Sequence, residues 1–503
     1  MARRGEIGPP PPVASGSRLR RVLLDRVVHC TNDEAARDGT LSETSATCTG
    51  QPLAVSLRAA PPPAVSRLHL HWPEGLRPEM AELDPPHVIA AHGHSILFQA
   101  YVPHIDQSRP PYYPLDYFLY TASGGRRSQS LRRLPPCFDG GQVDQQTDQL
   151  FQPYRLQQQR LMPSEHIGLL CRGDEDFTVA ELSCTGELCL LHHAPGMGEK
   201  PMRWAVQKLQ MPNYNDAPDL FSDSWQTDVV IPYGDSSLCW VDCYLGLFFV
   251  TVHGDLTRKP HYVPMPAALD PRRLYIDPGC PDPARRVCVT DSGMINLICI
   301  SDLAGRSVHG RDHHIFTITT WNLTGKEWQL DATIEASELW AALTSDKRLP
   351  LIRPEFPTMS LVDHDVVCFV LNDRDNVTWL VEVDLKKKVL GAVTLYIDEE
   401  EEKQAAEGEE QTKFCRFSSN SFIPSQFTMY LDKRDIKRKE VPRFAQHGYR
   451  TMKTVHTNYV VKVPKKCSFP TLCGQAIYIV FFFVADISRY IIDLVHFFFH
   501  GVA

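Results

Sequence analysis

Between Phe221 and Val252 the chain reads FSDSWQTDVVIPYGDSSLCWVDCYLGLFFVTV, and this stretch constrains the fold more than any other. Two short β-rich runs, Leu238–Tyr244 and Leu247–Val252, are separated by Leu245-Gly246, and a Gly-Asp-Ser-Ser turn introduces the first. Val, Ile, Thr and aromatic residues fit a pleated surface, while Gly and Asx supply the positive φ that tight hairpins need. The same grammar returns along the chain. Phe177–Cys184 and Glu187–His192 flank Thr185-Gly186, and Arg286–Thr290 and Met294–Ile300 flank Asp291-Ser-Gly293. Ile315–Leu323 and Glu327–Ile334 flank Thr324-Gly325; Val366–Leu371 and Val377–Leu385 flank Asn372–Asn376; Val389–Ile397 follows a Lys386–Lys388 turn. An isolated hairpin cannot shield its apolar face, so hairpins spaced this closely must cover one another. The expected fold is all-β and mainly antiparallel, a β-propeller-like array first and a β-sandwich second.

Repetition supports the array. Apolar runs at Leu247–Val252, Met294–Ile300 and Val366–Leu371 each follow a turn ending in Gly or Asp, and Trp-bearing strands recur at Ile318–Trp328 and Thr378–Lys388. Proline pairs and runs (Pro9–Pro12, Pro61–Pro63, Pro85-Pro86, Pro110-Pro111, Pro135-Pro136) stop helices and interrupt strands, which argues against a helical bundle. Glu335–Leu343 is the best short helix candidate. Upstream, Arg21–Val28 and Leu53–Leu57 are short apolar runs. Val65–Trp72 alternates apolar residues with Arg67, His69 and His71, the period of a half-buried strand, and Val88–Val102 reads as strand, His-Gly-His turn, strand.

The 503 residues divide by composition into a leader (1–20), an amino-terminal β region (21–140) and a Gln-rich linker or loop (141–160). A core propeller-like domain (161–397), an acidic insert (398–412), a basic terminal β segment (413–470) and a hydrophobic tail (475–503) follow. A net charge of −8 is small for this length and gives no global argument for nucleic acid. The fifteen cysteines are scattered, and Cys239, Cys288, Cys299 and Cys368 sit inside apolar runs, as buried reduced thiols do in an intracellular protein. The arginine-rich leader lacks an apolar h-region, so it reads as a disordered proline-rich start, with an organelle transit peptide as the alternative. Cytoplasm or nucleus is the expected compartment. In the tail, Asp486, Arg489, Asp493, His496 and His500 fall on one helical face opposite an aromatic and aliphatic one. Two aspartates and an arginine oppose a spanning helix, so an amphipathic helix docked on the body, a partner or a membrane surface is expected.

Trp225, Gly234-Asp235-Ser-Ser-Leu238, Trp240-Val-Asp242, Gly246 and His261-Tyr-Val-Pro-Met-Pro266 together resemble the plant domain of unknown function (DUF) 1618 family, which is expanded in grasses. Leu24-Asp25-Arg26, His71-Trp-Pro-Glu-Gly75 and Val88–Phe98 resemble it as well. The likeness runs from about Val22 to Val463, and its outline is similar to the kelch-type propellers that accompany F-boxes. It implies a propeller-like body and no catalytic residues. No F-box helix bundle is legible at the amino terminus.

Candidate chemistries are weak. Gly234-Asp-Ser-Ser-Leu238 has the look of a GDSL hydrolase block with Ser236 as nucleophile, and Asp493-Leu-Val-His496 could complete it. That chemistry needs a serine at a strand-to-helix turn, whereas Ser236 leads into another strand. Cys184-x4-Cys189-x2-His192-His193 lacks the close spacing and second pair of a structural zinc site, and Cys239-x3-Cys243 falls on one face of a strand, as core thiols would. His313-His314 and His92-Gly-His94 are read as ordinary exposed turn histidines. Lys433, Arg434, Lys437-Arg-Lys439 and Arg443 could form an import signal or a phosphate patch, though charged loops are commoner. No nucleotide-binding glycine motif occurs. Asp235, Trp240 and Asp242 are expected to hold turns and core. No catalytic, cofactor or metal residue is therefore nominated, no cofactor is expected, and the expected role is a non-enzymatic scaffold presenting loops to a protein partner. A membrane-associated protein held by residues 475–503 is the remaining alternative.

Overall fold

The computed structural model describes residues 20–31, 39–72, 84–102, 114–122, 129–138, 159–160, 162–173, 175–196, 202–209, 225–269, 281–302, 316–373, 377–396 and 422–431. The leader before residue 20, all but residues 159–160 of the Gln-rich stretch, the acidic insert, most of the basic segment and the hydrophobic tail lie outside them. So do His313-His314, Asp493 and His496.

The fold is all-β and mainly antiparallel. The amino-terminal strands are β1 (Val22–Thr31), β2 (Ser45–Ala46), β3 (Pro52–Arg58), β4 (Val65–His71), β5 (His87–His92), β6 (Ser95–Tyr101), β7 (Leu115–Thr121) and β8 (Ser130–Arg133). They form one sheet in the order β2-β3-β4-β1-β5-β6-β7-β8, in which the β1–β5 register is the single pair Val27 opposite His87. The β1–β4 pair is parallel, and every other pairing is antiparallel.

Four meanders of four antiparallel strands follow. The first is β9 (Ile167–Gly173), β10 (Asp176–Leu182), β11 (Glu187–His193) and β12 (Trp204–Lys208). The second is β13 (Val229–Tyr233), β14 (Ser237–Asp242), β15 (Gly246–Thr251) and β16 (His261–Pro264). The third is β17 (Arg285–Val289), β18 (Ile295–Asp302), β19 (Phe316–Thr324) and β20 (Glu327–Glu335), with helix α1 (Ala336–Leu343) behind it. The fourth is β21 (Glu355–Met359), β22 (Val366–Asn372), β23 (Thr378–Asp384) and β24 (Val389–Leu395). A short β25 (Ile423–Ser425) then returns to pair antiparallel with Val22–Leu24 of β1. The expected hairpins form at Thr185-Gly186, Leu245-Gly246, Asp291-Ser-Gly293, Thr324-Gly325 and Lys386–Lys388, and β22 pairs with β23. Helix α1 starts where the sequence places it, because Glu335 and Glu338 make a reciprocal capping box.

The first strands of successive units lie side by side: β5 beside β9, β9 beside β13, β13 beside β17 and β17 beside β21. Strand β25 lies beside both β21 and β5, so the circuit returns to its start. Six apolar clusters fill the six seams. Phe98, Phe118 and Tyr120 pack on Val22, Leu68 and Trp72. Leu97 and Tyr117 pack on Leu169 and Val179, and Leu170 and Leu190 on Trp240 and Phe248. Val241 and Phe249 pack on Val287 and Leu297, and Ile298 and Phe316 on Val367 and Phe369. Phe356 and Val370 pack on Leu23 and Phe422, closing the series. Burying both faces of the middle strands is why β14, β15, β18 and β22 read as nearly continuous apolar runs.

Two sequence expectations are corrected. Strand β4 is not half-buried: Arg67, His69 and His71 are buried along with their apolar neighbours. The strand lies between β3 and β1, and its polar residues find buried partners, such as Ser56 Oγ at 2.8 Å from His71 Nε2. The grouping of Leu247–Val252 with Met294–Ile300 and Val366–Leu371 also fails. β18 and β22 are second strands of their sheets, whereas β15 is a third strand, and its counterparts are β19 and β23.

Candidate functional site

The turns between first and second strands converge at one end of the circuit. They are His92-Gly93-His94, the Gly173–Glu175 turn, Gly234-Asp235-Ser236, Asp291-Ser292-Gly293 and Leu361–Asp365, joined by the 3-10 turn Phe427–Tyr430 after β25. Gly93, Gly234 and Gly293 adopt φ of +53°, +59° and +80°, which explains glycine at these tips. Direct contacts tie the turns together. His92 Nδ1 accepts the Cys171 backbone N–H at 2.9 Å, and the His94 ring meets Tyr430 edge-on at 5.7 Å. The Asp291 backbone N–H donates to Leu361 O at 3.0 Å, and the Gln426 amide donates to the Asp291 carboxylate.

The histidine turn therefore differs from its sequence reading. His94 is buried and His92 half-buried, because the neighbouring sheet and the 3-10 turn pack over them. Burial pushes the His92 imidazole down to about 4, His94 adds to this, and Asp235 opposes it. A neutral ring is what the Cys171 bond requires, since Nδ1 accepts. Arg172 bonds Thr178 Oγ1 at 2.9 Å and pairs with Asp176, and Thr178 in turn contacts His192 Nδ1 at 2.9 Å. Burial and then Arg172 and His253 hold the His192 ring below its ordinary value. Asp291 is pushed up by burial. Tyr233, Val362 and Tyr430 are 38%, 50% and 38% exposed around this end.

The signature residues at the other end of the second meander are structural. Trp240 is fully buried, and its Nε1–H donates to His166 O at 2.9 Å across the seam. Asp242 accepts backbone N–H bonds from Gln226, Tyr244 and Leu245 at 3.0, 2.8 and 2.8 Å, capping the β14–β15 turn. Asp228 beside it accepts from Cys243 N–H at 2.7 Å; burial, with Asp242 and Asp282, pushes it up to about 7. At Gly246 a Cβ would stand 2.4 Å from Val263 O and 2.6 Å from the Tyr262 ring, so only glycine lets β16 close on β15.

Ser236 sits in the β13–β14 hairpin, its carbonyl accepting from Val252 and His253 N–H at 2.8 and 3.1 Å. The serine therefore lies between two strands, as the sequence indicated. Cys189 is buried while Cys184 is exposed; Cys239 and Cys243 share one core cluster. Cys137, Cys171, Cys184, Cys189, Cys239, Cys243, Cys288, Cys299 and Cys368 form no disulfide. Among the described residues Asp331, His364 and Asp365 bring ligand atoms within 4.8 Å of one another. Lys386 Nζ stands 3.8 Å from Asp365 there and supplies the counter-charge. No helix of the described residues is long and apolar enough to cross a membrane. Sequence reasoning missed Gln426 and Tyr430 at the turn-bearing end, because their partners lie 135 residues and more away and no local pattern marks them.

Residues 240–368 match the family model described as protein of unknown function (DUF1618). That segment is a DUF1618 domain. The DUF1618 match begins in β14 and ends in β22, both second strands, so it covers two periods of the array. No curated protein matches the sequence. Solved structures similar to this chain include a putative 6-phosphogluconolactonase from Bacteroides fragilis (10% identity, 69% of this chain and 81% of that one, TM-score 0.30). AofleA from Arthrobotrys oligospora is similar at 9% identity, over 75% and 87% of the two chains, with a TM-score of 0.30. The dihydro-heme d1 dehydrogenase NirN is similar at 12% identity, over 77% and 75%, with a TM-score of 0.30. At these scores the likenesses bear on neither activity nor ligand.

Proposed function

We propose that the described body is a six-bladed β-propeller and that it works as a non-enzymatic protein-interaction scaffold, with the turn-bearing end as its partner face. The observation that carries the reading is the closed circuit of first strands with six apolar seams. Such a circuit leaves loops, not sheet faces, to meet other molecules. Tyrosines and an apolar side chain stand exposed at one end of it, and aromatic residues are favoured in interface cores. Free buried thiols suit a reducing compartment, and a plant origin follows from the family resemblance alone.

The test is quantitative co-purification of the full chain against Tyr233→Ser, Val362→Ser and Tyr430→Ser combined. One defined set of partners is expected with the natural chain and its loss with the triple variant, at unchanged thermal stability. Labelling by a serine-directed phosphonate probe that Ser236→Ala abolishes would sink the scaffold reading in favour of a hydrolase.

A further inference from the structure

We propose that Cys137 and Cys189, with Glu181 beside them, form a buried binding site for a soft monovalent cation of the Cu(I) class. The site lies in a seam and is independent of the scaffold reading.

The two thiols belong to different units and meet between them. Cys189 lies in the middle of β11, and Cys137 in the chain leaving β8. Both belong to the apolar cluster that joins Leu97 and Tyr117 to Leu169 and Val179, where Cys189 is 0% and Cys137 1% exposed. Their side chains are hydrogen-bonded to each other, and neither takes part in a disulfide. The segments that carry them are anchored to each other. The Arg160 backbone N–H donates to Cys137 O at 2.8 Å, and the Arg160 guanidinium bonds Glu187 Oε2, at the start of β11, at 3.0 and 3.1 Å. Trp204 of β12 donates from Nε1 to Pro135 O at 2.7 Å. The pairing Cys184-x4-Cys189 does not serve, because Cys184 is exposed at the hairpin tip.

The second, independent observation is a carboxyl with an unused oxygen. Glu181 stands opposite Cys189 in the β10–β11 register, is 2% exposed, and its Oε2 has no hydrogen-bond partner. A buried carboxyl oxygen left without a partner is costly. Burial, and then the Cys189 thiol, push this carboxyl up to about 9, while Arg160 opposes the rise. The Cys189 thiol is pushed up as well, first by its bond to Cys137 and then by burial. These groups keep their protons in a dry seam until a cation replaces them.

The donors select the ion. Thiolates favour soft cations such as Cu(I), whereas Mg2+ and Ca2+ require oxygen ligands. Two facing thiols suit a linear S–Cu–S arrangement, and Glu181 Oε2 is left as a third, weaker donor. On binding, each S–H gives its proton to solvent, two S–Cu bonds form, and no electron is transferred. The Arg160 guanidinium lies within electrostatic reach of both sulfurs and offsets the charge of the paired thiolates.

The test titrates Cu(I), buffered by a chromogenic chelator, into the reduced full chain and follows transfer to equilibrium. The natural chain should withdraw one tightly held equivalent. Cys137→Ala and Cys189→Ala should each remove that equivalent, and Glu181→Gln should weaken it about tenfold. Cys288→Ala, which removes a buried thiol from another seam, and Cys184→Ala should leave it unchanged. Thermal melts confirm that the variants are folded and give a second readout: Cu(I) should raise the melting temperature of the natural chain and not that of Cys137→Ala. Cys137 lies outside the strands, so its variant carries the test if Cys189→Ala is unfolded. No tight equivalent in the natural chain, its survival in Cys137→Ala, its equal loss in Cys288→Ala, or an affinity untouched by Glu181→Gln overturns the proposal.

Discussion

The second meander and the closing unit around β1 solve the same packing problem with different materials. In the second meander every pairing is between sequence neighbours, and the seams on its two sides are filled by Trp240, Phe248, Val241 and Phe249. In the closing unit β1 takes a parallel partner in β4 and an antiparallel one in β25, some four hundred residues away. Beside its apolar clusters, it also buries charged and polar pairs at its seam with the fourth meander. Arg67 Nε stands 3.7 Å from Asp25 Oδ2 with its guanidinium over the Tyr396 ring, the Tyr396 hydroxyl donates to Asp25 at 3.3 Å, and Arg21 pairs with Glu382. Local hairpins can rely on undirected apolar contact because their register is set by two- to four-residue turns. A join between distant segments has no turn to set it, and directional buried pairs specify which strands meet.

That contrast can be broken most forcefully at Trp240. Trp240→Ala should cost about 3–5 kcal/mol by denaturant unfolding, since it empties a seam and orphans His166 O. Arg67→Met should cost about 3 kcal/mol by leaving Asp25 buried beside an apolar chain, and adding Asp25→Asn should recover part of it. Simple additivity of the two would show that the pair does not hold the closing seam. Gly246→Ala should cost roughly 1–3 kcal/mol, because its Cβ meets backbone at Val263 rather than a side chain that could turn aside.

The smallest expected effect is a pH dependence at the turn-bearing end. His92 is held at about 4 when folded, below the ordinary value of 6.5. The unfolded chain therefore binds the extra proton first, and this contribution to stability is complete above pH 6.5 and lost as pH falls towards 4. His92→Gln should flatten the decline in melting temperature across that window. An unchanged slope would mean that the ring is not neutral in the fold.

What the sequence made legible was the local half of this contrast. Thr185-Gly186, Asp291-Ser-Gly293 and Thr324-Gly325 announced their hairpins because glycine at positive φ is a backbone requirement visible in one residue. Trp240 and Asp242 were readable as structural for the same reason: one lies in an apolar run and the other precedes a tight turn. The burial of Arg67, His69, His71 and His94 was not legible, because polar residues enter a core only with partners supplied by distant strands. The six-unit circuit itself depends on β25 meeting β1, a pairing that no periodicity encodes.

That last pairing has a consequence during synthesis. The amino-terminal strand leaves the ribosome early, yet Val22–Leu24 wait for Ile423–Ser425 before this edge is covered. Tying ends so far apart costs on the order of 5 kcal/mol of chain entropy, more than one short strand pair returns alone. A nascent chain halted before Phe422 would therefore carry a sticky border, open to chaperones or to a second unfinished copy.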